Sequence, residues 1–431
     1  MKSHSDGRGT KVLAGRAHAK TTPARTARPR SPRASESAPR SASRPAPPKP
    51  QLGHLSEARA RIDALDDTIL ALLEQRADVA REVAAVKRAA DVQVFHDPER
   101  ERQVLERLAG RAERFPPDAI RAVFREVMSG CLSLEEPLRV AYLGPEGTFS
   151  QTAARRLFGL QARYRECATI EAVFEAVQSK DATYGVVPFE NSTEGAVSMT
   201  SDALLEGDLL IRQEYVLPVS HCLLSRARAL SEITAVYSHP QALAQCRMWI
   251  AKHLPRAQVV QTTSTAAAAR EAHADERAAA IGADIAAELH DVPILRSRIQ
   301  DRRENATRFV VLAHDDAPPS GRDRTTLAFG VQHSEGALRR VLTDFETAGV
   351  NLTRIESRPS RKAPWQYVFL VDVEGHRADP ALGAALRAAK KSAAFLKVVG
   401  SYPRADLEAK RPSTKTRART AAAARAKKPA R

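Results

Sequence analysis

Arg76 and Lys87 lie in a stretch, residues 55–90, that contains neither Gly nor Pro. Eleven residues are about three helical turns, so the two side chains share one helix face roughly 16 Å apart. Two long cationic side chains leaning towards each other can grip one small dianion. Arg59 on the same helix would lie roughly 42 Å from Lys87, too far to serve one site from one chain. Taken alone, these residues read as a solvated basic stripe. Further along, five polar segments stand where strands meet turns: GPEGTFS at 144–150, PFENS at 188–192, SHPQ at 238–241, TTST at 262–265 and NATRF at 305–309. Open α/β sheets bind ligands at their strand ends, and a Gly-rich turn opening a helix points backbone N–H groups at an anion. One such turn is ordinary; five together point to a binding cleft. Cys131, Cys167, Cys222 and Cys246 have neither CxxC nor metal-ligand spacing, so free thiols are expected, with no metal and no cofactor.

The elements that must carry these residues fall into three blocks. Apolar residues recur at helical spacing from Leu55 through Ile62, Leu65, Ile69, Leu72, Val79, Val83 and Val86, which predicts one helix of roughly 35 residues. A second helix opens at Asp97-Pro98 and runs to about Arg111, and a third follows Pro116-Pro117 to about Leu134. The first is too long to be covered by such short partners and calls for a second chain. From 138 the pattern turns to strands (139–143, 184–188, 210–216, 235–238, 278–281, 309–313) with helices between them, an α/β block. Residues 314–324, rich in Asp, Pro and Gly, read as a linker. The last block, 325–403, reads βαββαβ, the ferredoxin-like α+β order.

The formal charge of +16 would suggest a nucleic-acid partner, but its distribution does not. Residues 1–50 hold 12 Lys and Arg against 2 acids, and residues 404–431 hold 10 against 2, leaving 45 basic against 47 acidic side chains in 51–403. The basicity sits in two Ala/Ser/Pro/Arg/Lys tails with too little apolar surface to fold. The expected organisation is therefore a disordered basic tail at 1–52, an all-α domain at 53–137, an α/β domain at 138–316, an α+β domain at 325–403 and a second tail at 404–431. The N-terminal tail overlaps a transit peptide in composition. No apolar run is long enough to span a membrane. A nucleic-acid contact, if made, would run through the tails, which lack interleaved aromatics.

The helical block resembles the all-helical chorismate mutase family, on Arg59-xx-Ile62-xx-Leu65-Asp66, Leu72-Leu73-xx-Arg76, Val83-xxx-Lys87 and Asp97-Pro98-Glu99-Arg100-Glu101. The resemblance implies an interlocked helical dimer in which Arg59 reaches the partner's site. Arg76, Lys87 and Arg100 would come from the same chain, with Asp97 and Glu101 lining the pocket. The family's rearrangement of chorismate to prephenate is pericyclic. It requires a held conformer and a donor to the ether oxygen, not a nucleophile or metal. Cys131 and Glu135 occupy third-helix positions where well-known members carry Ser and Gln. A carboxyl at 135 donates a hydrogen bond only when protonated, so mutase activity should fall with rising pH and Glu135→Gln should flatten the profile.

The α/β block resembles the prephenate dehydratase family across 138–313, most specifically in GPEGTFSQ, PFENS, YSHPQALAQC and NATRF. The resemblance implies two α/β lobes with prephenate between them. Thr307 would be the donor to the departing hydroxyl, with Arg308 beside it, and Glu190, Asn191, Ser238, Gln245 and Ser264 would line the cleft. His239 is expected to be structural. Residues 325–403 resemble the ACT domains, through Glu356, Ser357, Arg358 and Pro359 and through Gly336, Ala337 and Leu338, where Arg339 replaces a family valine. The resemblance implies L-phenylalanine binding between paired domains. Together the three imply a cytoplasmic, bifunctional enzyme of phenylalanine biosynthesis, a homodimer or higher homo-oligomer, taking chorismate and prephenate as substrates. A dehydratase whose mutase domain only dimerises is the alternative; the intact Arg59, Arg76, Lys87 and Arg100 argue against it.

Overall fold

A computed structural model describes residues 52–90, 96–302, 304–359 and 367–405; the basic tails expected at 1–52 and 404–431 lie outside them except for Leu52, Arg404 and Ala405. The chain divides into two compact units, residues 1–64 and 65–431. Of the first, the described residues are the opening turns of α1 (Leu52–Ala89). The second holds the later turns of that helix and all remaining elements.

Asp97 caps α2 (Pro98–Gly110) by accepting from the N–H groups of Glu99 and Arg100, and Pro98 supplies the fixed φ of a first helical residue. Pro117 does the same for α3 (Pro117–Glu135). Arg76, Lys87 and Arg88 reach across from α1 to α3, while Leu65, Ile69, Leu72, Val79, Val83 and Val86 stay exposed, Val86 by 68%. The apolar face predicted to need a second chain is thus uncovered in one copy. The helices also dock onto the next domain. Ser129 on α3 donates to Phe158 O at 2.7 Å, and Gly159 (φ +72°) lies so close that a Cβ there would run into Ser129.

The α/β domain has two sheets. The first lobe builds β1 (Arg139–Leu143), α4 (Phe149–Phe158), β2 (Arg163–Cys167), α5 (Ile170–Gln178), β3 (Tyr184–Asn191), the short β4 (Gly195–Ala196), α6 (Ser198–Glu206) and β5 (Leu210–Pro218). The second lobe follows with β6 (Cys222–Leu224), β7 (Ala235–Ser238), α7 (Pro240–Gln245), α8 (Arg247–His253), β8 (Gln258–Gln261), α9 (Thr265–Ala274), β9 (Ala278–Gly282), α10 (Ile285–Leu289) and β10 (Ile294–Arg296). The chain then returns to the first lobe as β11 (Ala306–Ala313), antiparallel between β3 and β5 in the order β2-β1-β3-β11-β5. The second sheet runs β10-β6-β9-β7-β8. Side chains alternate across the first sheet: Val140 and Tyr142 pack under α4, and Ala141 faces α5. The strands missed from sequence, β2, β4, β6, β8 and β10, have five residues or fewer; β2, β8 and β10 lie at sheet edges, and the two-residue β4 pairs with β3 alone. Edge positions need no apolar alternation.

The last domain is β12 (Asp323–Gly330), α11 (Ala337–Thr347), β13 (Leu352–Pro359), β14 (Tyr367–Glu374), α12 (Pro380–Ser392) and β15 (Phe395–Pro403), all antiparallel in the order β13-β14-β12-β15. Its two helices cover one face of the sheet. The other face shares a core with the first lobe: Ala328, Leu370, Val399 and Tyr402 pack with Phe189, Ile211 and Leu312. Gly400 allows this approach, because a Cβ there would stand 2.7 Å from Ile211 N. The expected linker at 314–324 is instead pinned. Arg212 binds Asp315 at 2.7 Å, Arg377 binds Asp316 at 2.7 Å, and β12 already starts at Asp323. Its acids read as loop residues in sequence because their cationic partners are far away along the chain.

Candidate active sites

Between the two lobes lies a cleft of about 570 Å³. Thr148 caps α4 and Ser264 caps α9, so two helix N-termini open onto it. From the first lobe β3 and β11 deliver Asn191 and Thr307, paired in register. Asn191 Nδ2 donates to Thr307 Oγ1 at 2.9 Å and to Asn305 Oδ1 at 3.0 Å, while its Oδ1 accepts from Thr193 N at 2.9 Å and from Glu194 N at 3.3 Å. The backbone donors fix the amide orientation. With an N–H on its oxygen, the Thr307 hydroxyl keeps its own hydrogen free to donate, and that polarisation makes it a better donor. Among the described residues, the cleft wall carries no Lys or Arg. An anion there would meet hydroxyls, amides and helix N-termini.

Asn191, Gln245, Ser264 and Thr307 line this cleft as expected from sequence, and three other candidates do not. Arg308 follows Thr307 on an extended strand and therefore points to the opposite face. Its Nε donates to Glu214 at 2.6 Å, Nη1 to Asp372 at 2.5 Å and Nη2 to Tyr402 Oη at 2.7 Å. Glu190 precedes Asn191 and turns away likewise, 3.3 Å from Arg354 Nε. Ser238 is fully buried and donates to Ile281 O at 2.6 Å, joining β7 to β9. Several cleft residues had no assigned role in sequence: Thr148, Phe149, Ser150, Glu194, Gln241 and His221. Most stand in or beside the polar turns already noted; His221 stands outside all of them.

Arg308 belongs to a buried junction with the last domain, around a second cavity of about 400 Å³. Burial works against its charge, but Tyr402, Asp372 and Glu214 outweigh burial and hold its pKa well above the usual value. Burial likewise pushes the Asp372 carboxyl up, but Arg308 and a hydrogen bond from Thr326 hold it below the usual carboxylate range. Asp372 therefore contributes its full stabilisation above the usual carboxylate pKa and loses it as pH falls through the lower folded value.

In the helical domain Lys87 Nζ meets Glu135 Oε2 at 3.2 Å, with both side chains mostly buried. Arg76 Nη1 donates to Val127 O at 3.4 Å, and Cys131 is buried on the same helix as Glu135. The structure brings Arg76, Lys87, Cys131 and Glu135 to one α1–α3 seam. The remaining candidates stand at the start of α2 with other partners. Asp97 caps that helix, Glu101 is 3.2 Å from His96 Nε2, and Arg100 is exposed. Arg59 lies exposed in the other compact unit.

In the last domain Gly336 sits at φ +70°, which favours glycine, just before Ala337 and Leu338 begin α11. Glu356, Ser357, Arg358 and Pro359 end β13, an edge strand. Glu356 is paired with Arg354 and Arg358, and Arg358 Nη2 reaches Asp202 on α6 at 2.7 Å. Lys397 donates to Leu204 O, Leu205 O and Gly207 O at the C-terminal end of that helix. So the last domain holds α6 at its middle and at its C-terminal end, and the residues before that helix, Glu194, Gly195, Ala196 and Val197, form cleft wall.

Three family models match the chain in order: chorismate mutase type II over residues 58–136, prephenate dehydratase over 140–317 and the ACT domain over 325–391. The chain is 45% identical over 359 residues to a bifunctional chorismate mutase/prephenate dehydratase of Aquifex aeolicus (strain VF5), covering 82% of this chain and 99% of that one. It is 44% identical over 360 residues to the protein of that name from Stutzerimonas stutzeri, covering 82% and 98%. The structure is similar to a prephenate dehydratase from Arthrobacter aurescens solved in complex with L-Phe (TM-score 0.59, 33% identity, 67% of this chain and 99% of that one). With all three segments matched in order along nearly the whole length of such relatives, the chain belongs to the bifunctional chorismate mutase/prephenate dehydratase family.

Proposed function

We propose that the chain converts chorismate to prephenate at the α1–α3 seam and prephenate to phenylpyruvate in the interlobe cleft, under feedback by L-phenylalanine. One observation carries this reading: two separate polar sites stand in one chain, each inside the matching family segment. At the first site Arg76 and Lys87 bind the dianion. Arg100 of the same chain and Arg59 of the partner subunit complete the grip, with Asp97, Glu101 and Cys131 around it. Lys87 donates to the ether oxygen as its charge grows, with Glu135 beside it. The exposed apolar face of α1 supports a homodimer, since a patch of that size on one helix is normally covered. Working domain limits are 53–137, 138–316 and 325–403, and a cytoplasmic setting belongs to the same proposal.

At the second site the carboxylate leaves as carbon dioxide, and its electron pair moves into the ring and expels the hydroxyl. Thr307, held by Asn191, donates a hydrogen bond to that oxygen, and the α4 and α9 N-termini, with Ser264 and Gln245, hold the carboxylates. L-phenylalanine would sit where Gly336, Ala337 and Leu338 of one copy meet Glu356, Ser357, Arg358 and Pro359 of another. Lys87→Ala should abolish prephenate formation and leave phenylpyruvate formation from supplied prephenate nearly intact. Loss of both activities in a folded Lys87→Ala protein would contradict two independent sites.

A further inference from the structure

His221 precedes β6 and borders the interlobe cleft, and it is 3% exposed. Its Nε2 lies 2.8 Å from Gln245 Oε1, which also accepts from Asn305 Nδ2 at 2.9 Å. The Gln245 amide cannot turn around, because its Nε2 donates to the Glu194 carboxylate at 3.0 Å, and a carboxylate only accepts. The Gln245 oxygen therefore faces His221, and Nε2 must carry the ring proton. Nδ1 is left bare, buried and without a hydrogen-bond partner among the described residues. The Phe149 ring packs edge-on against the imidazole at 5.3 Å.

The dehydratase reaction needs what this arrangement offers. Prephenate enters as a dianion and leaves as the phenylpyruvate monoanion, carbon dioxide and water, so one proton is consumed per turnover. A threonine hydroxyl can stabilise the departing oxygen, but it has no proton to give up at neutral pH. We propose that His221 is a catalytic residue of the dehydratase, taking up a proton at Nδ1 as the dianion enters and giving it to the departing hydroxide. As the carbon–carbon bond to the carboxylate breaks, its electron pair completes the aromatic ring. The carbon–oxygen bond breaks, the Nδ1 proton passes to that oxygen to form water, and His221 returns to neutral before reloading from solvent.

The surroundings set the direction. Burial lowers the His221 pKa, with the Gln245 hydrogen bond acting the other way, so the free enzyme holds it neutral near pH 7. The other titratable groups on the cleft wall are Glu194, which binds Gln245 and Gln241, and His239, whose Nδ1 accepts from Gln241 N at 3.3 Å. Nearby Asp301 is occupied with the N–H groups of Met248 and Trp249. A bound dianion adds two negative charges where the described wall supplies no Lys or Arg, which favours protonated His221.

The inference rests on the dehydratase reading, and its test separates the two. The kcat/KM for prephenate, which reports the free enzyme, should fall about tenfold per pH unit between pH 7 and 9. His221→Gln keeps a donor to Gln245 but cannot titrate. It should lose that slope and about 10²-fold in kcat, while mutase activity in the same preparation checks the fold. Superimposable slopes for the two proteins would overturn the inference. Independently of that variant, the wild type should take up close to one proton per site on binding a saturated, unreactive prephenate analogue at pH 7.5. Zero uptake would overturn it as well. Phenylpyruvate formed by the wild type under either failure leaves the dehydratase reading standing, whereas none formed overturns both.

Discussion

Thr307 depends on its neighbour across the strand pair. Asn191 holds the hydroxyl oxygen at 2.9 Å and is itself held by the Thr193 and Glu194 backbone. Thr307→Ala should lower dehydratase kcat by about 10²–10⁴-fold, and Thr307→Ser, which keeps the hydroxyl, should recover much of it. Equal losses in both, measured on supplied prephenate, would take the hydroxyl out of the chemistry. Glu135 poses a different question, because it faces Lys87 at 3.2 Å. The ionised carboxylate neutralises the one cation that should face the ether oxygen, and it would repel the charge growing there. Glu135→Gln, which offers an amide donor and releases Lys87, should therefore raise mutase kcat/KM. Equal mutase kcat/KM in the two proteins, with dehydratase activity as the folding control, would remove Glu135 from the site. Thr307 and Asn191 were legible in sequence because contiguous motifs carry them. Arg308 and Glu190 were expected in the cleft and turn outward instead, because each is the strand neighbour of a cleft-facing residue and neighbours on a strand face opposite ways. His221 gave no sequence signal: what singles it out is a hydrogen bond to Gln245, 24 residues along the chain.

Among the elements, α1 and β11 do the most to place chemistry. The α1 periodicity foretold both its length and its uncovered face, because a helix records its burial pattern locally. Replacing Leu65 and Ile69 by Lys should shift the protein towards monomer by light scattering. Mutase activity should be lost, since Arg59 of the partner subunit is then missing, and the dehydratase should persist. A double variant that stays dimeric with full mutase activity would place the interface elsewhere. β11 shows the cleft Thr307 on one face and gives Arg308 to the ACT sheet on the other. Sequence could not reveal this, because which strangers meet across two sheets is a long-range fact. Arg308→Met would strand Asp372 in a buried site, and breaking such a pair costs about 3–5 kcal/mol. We expect lower thermal stability and weaker phenylalanine inhibition of the dehydratase. Wild-type inhibition in a destabilised Arg308→Met protein would show that the junction holds the domains together without coupling them.

At the scale of the whole molecule, the ACT domain is less an appendage than the sequence implied. It shares a core with the catalytic lobe, grips α6 through Arg358 and Lys397, and contacts β5 at Gly400. Deleting residues 325–403 would therefore expose Phe189 and Ile211 as well as remove the sensor, and Gly336→Val is the cleaner probe of phenylalanine binding. The domain order and the two catalytic identities were readable, since each block carries its own periodicity and motifs. The way the blocks lock together was not, because Gly159 and Gly400 look like ordinary loop and strand glycines until their neighbours are known. The central claim is that one chain performs two consecutive reactions at two sites. Its most direct test is a time course on chorismate alone that follows chorismate, prephenate and phenylpyruvate together for the wild type and Thr307→Ala. The account predicts phenylpyruvate from the wild type, and from the variant prephenate in an amount matching the chorismate consumed. A wild type that makes no phenylpyruvate, or a folded Thr307→Ala protein that no longer consumes chorismate, would contradict it.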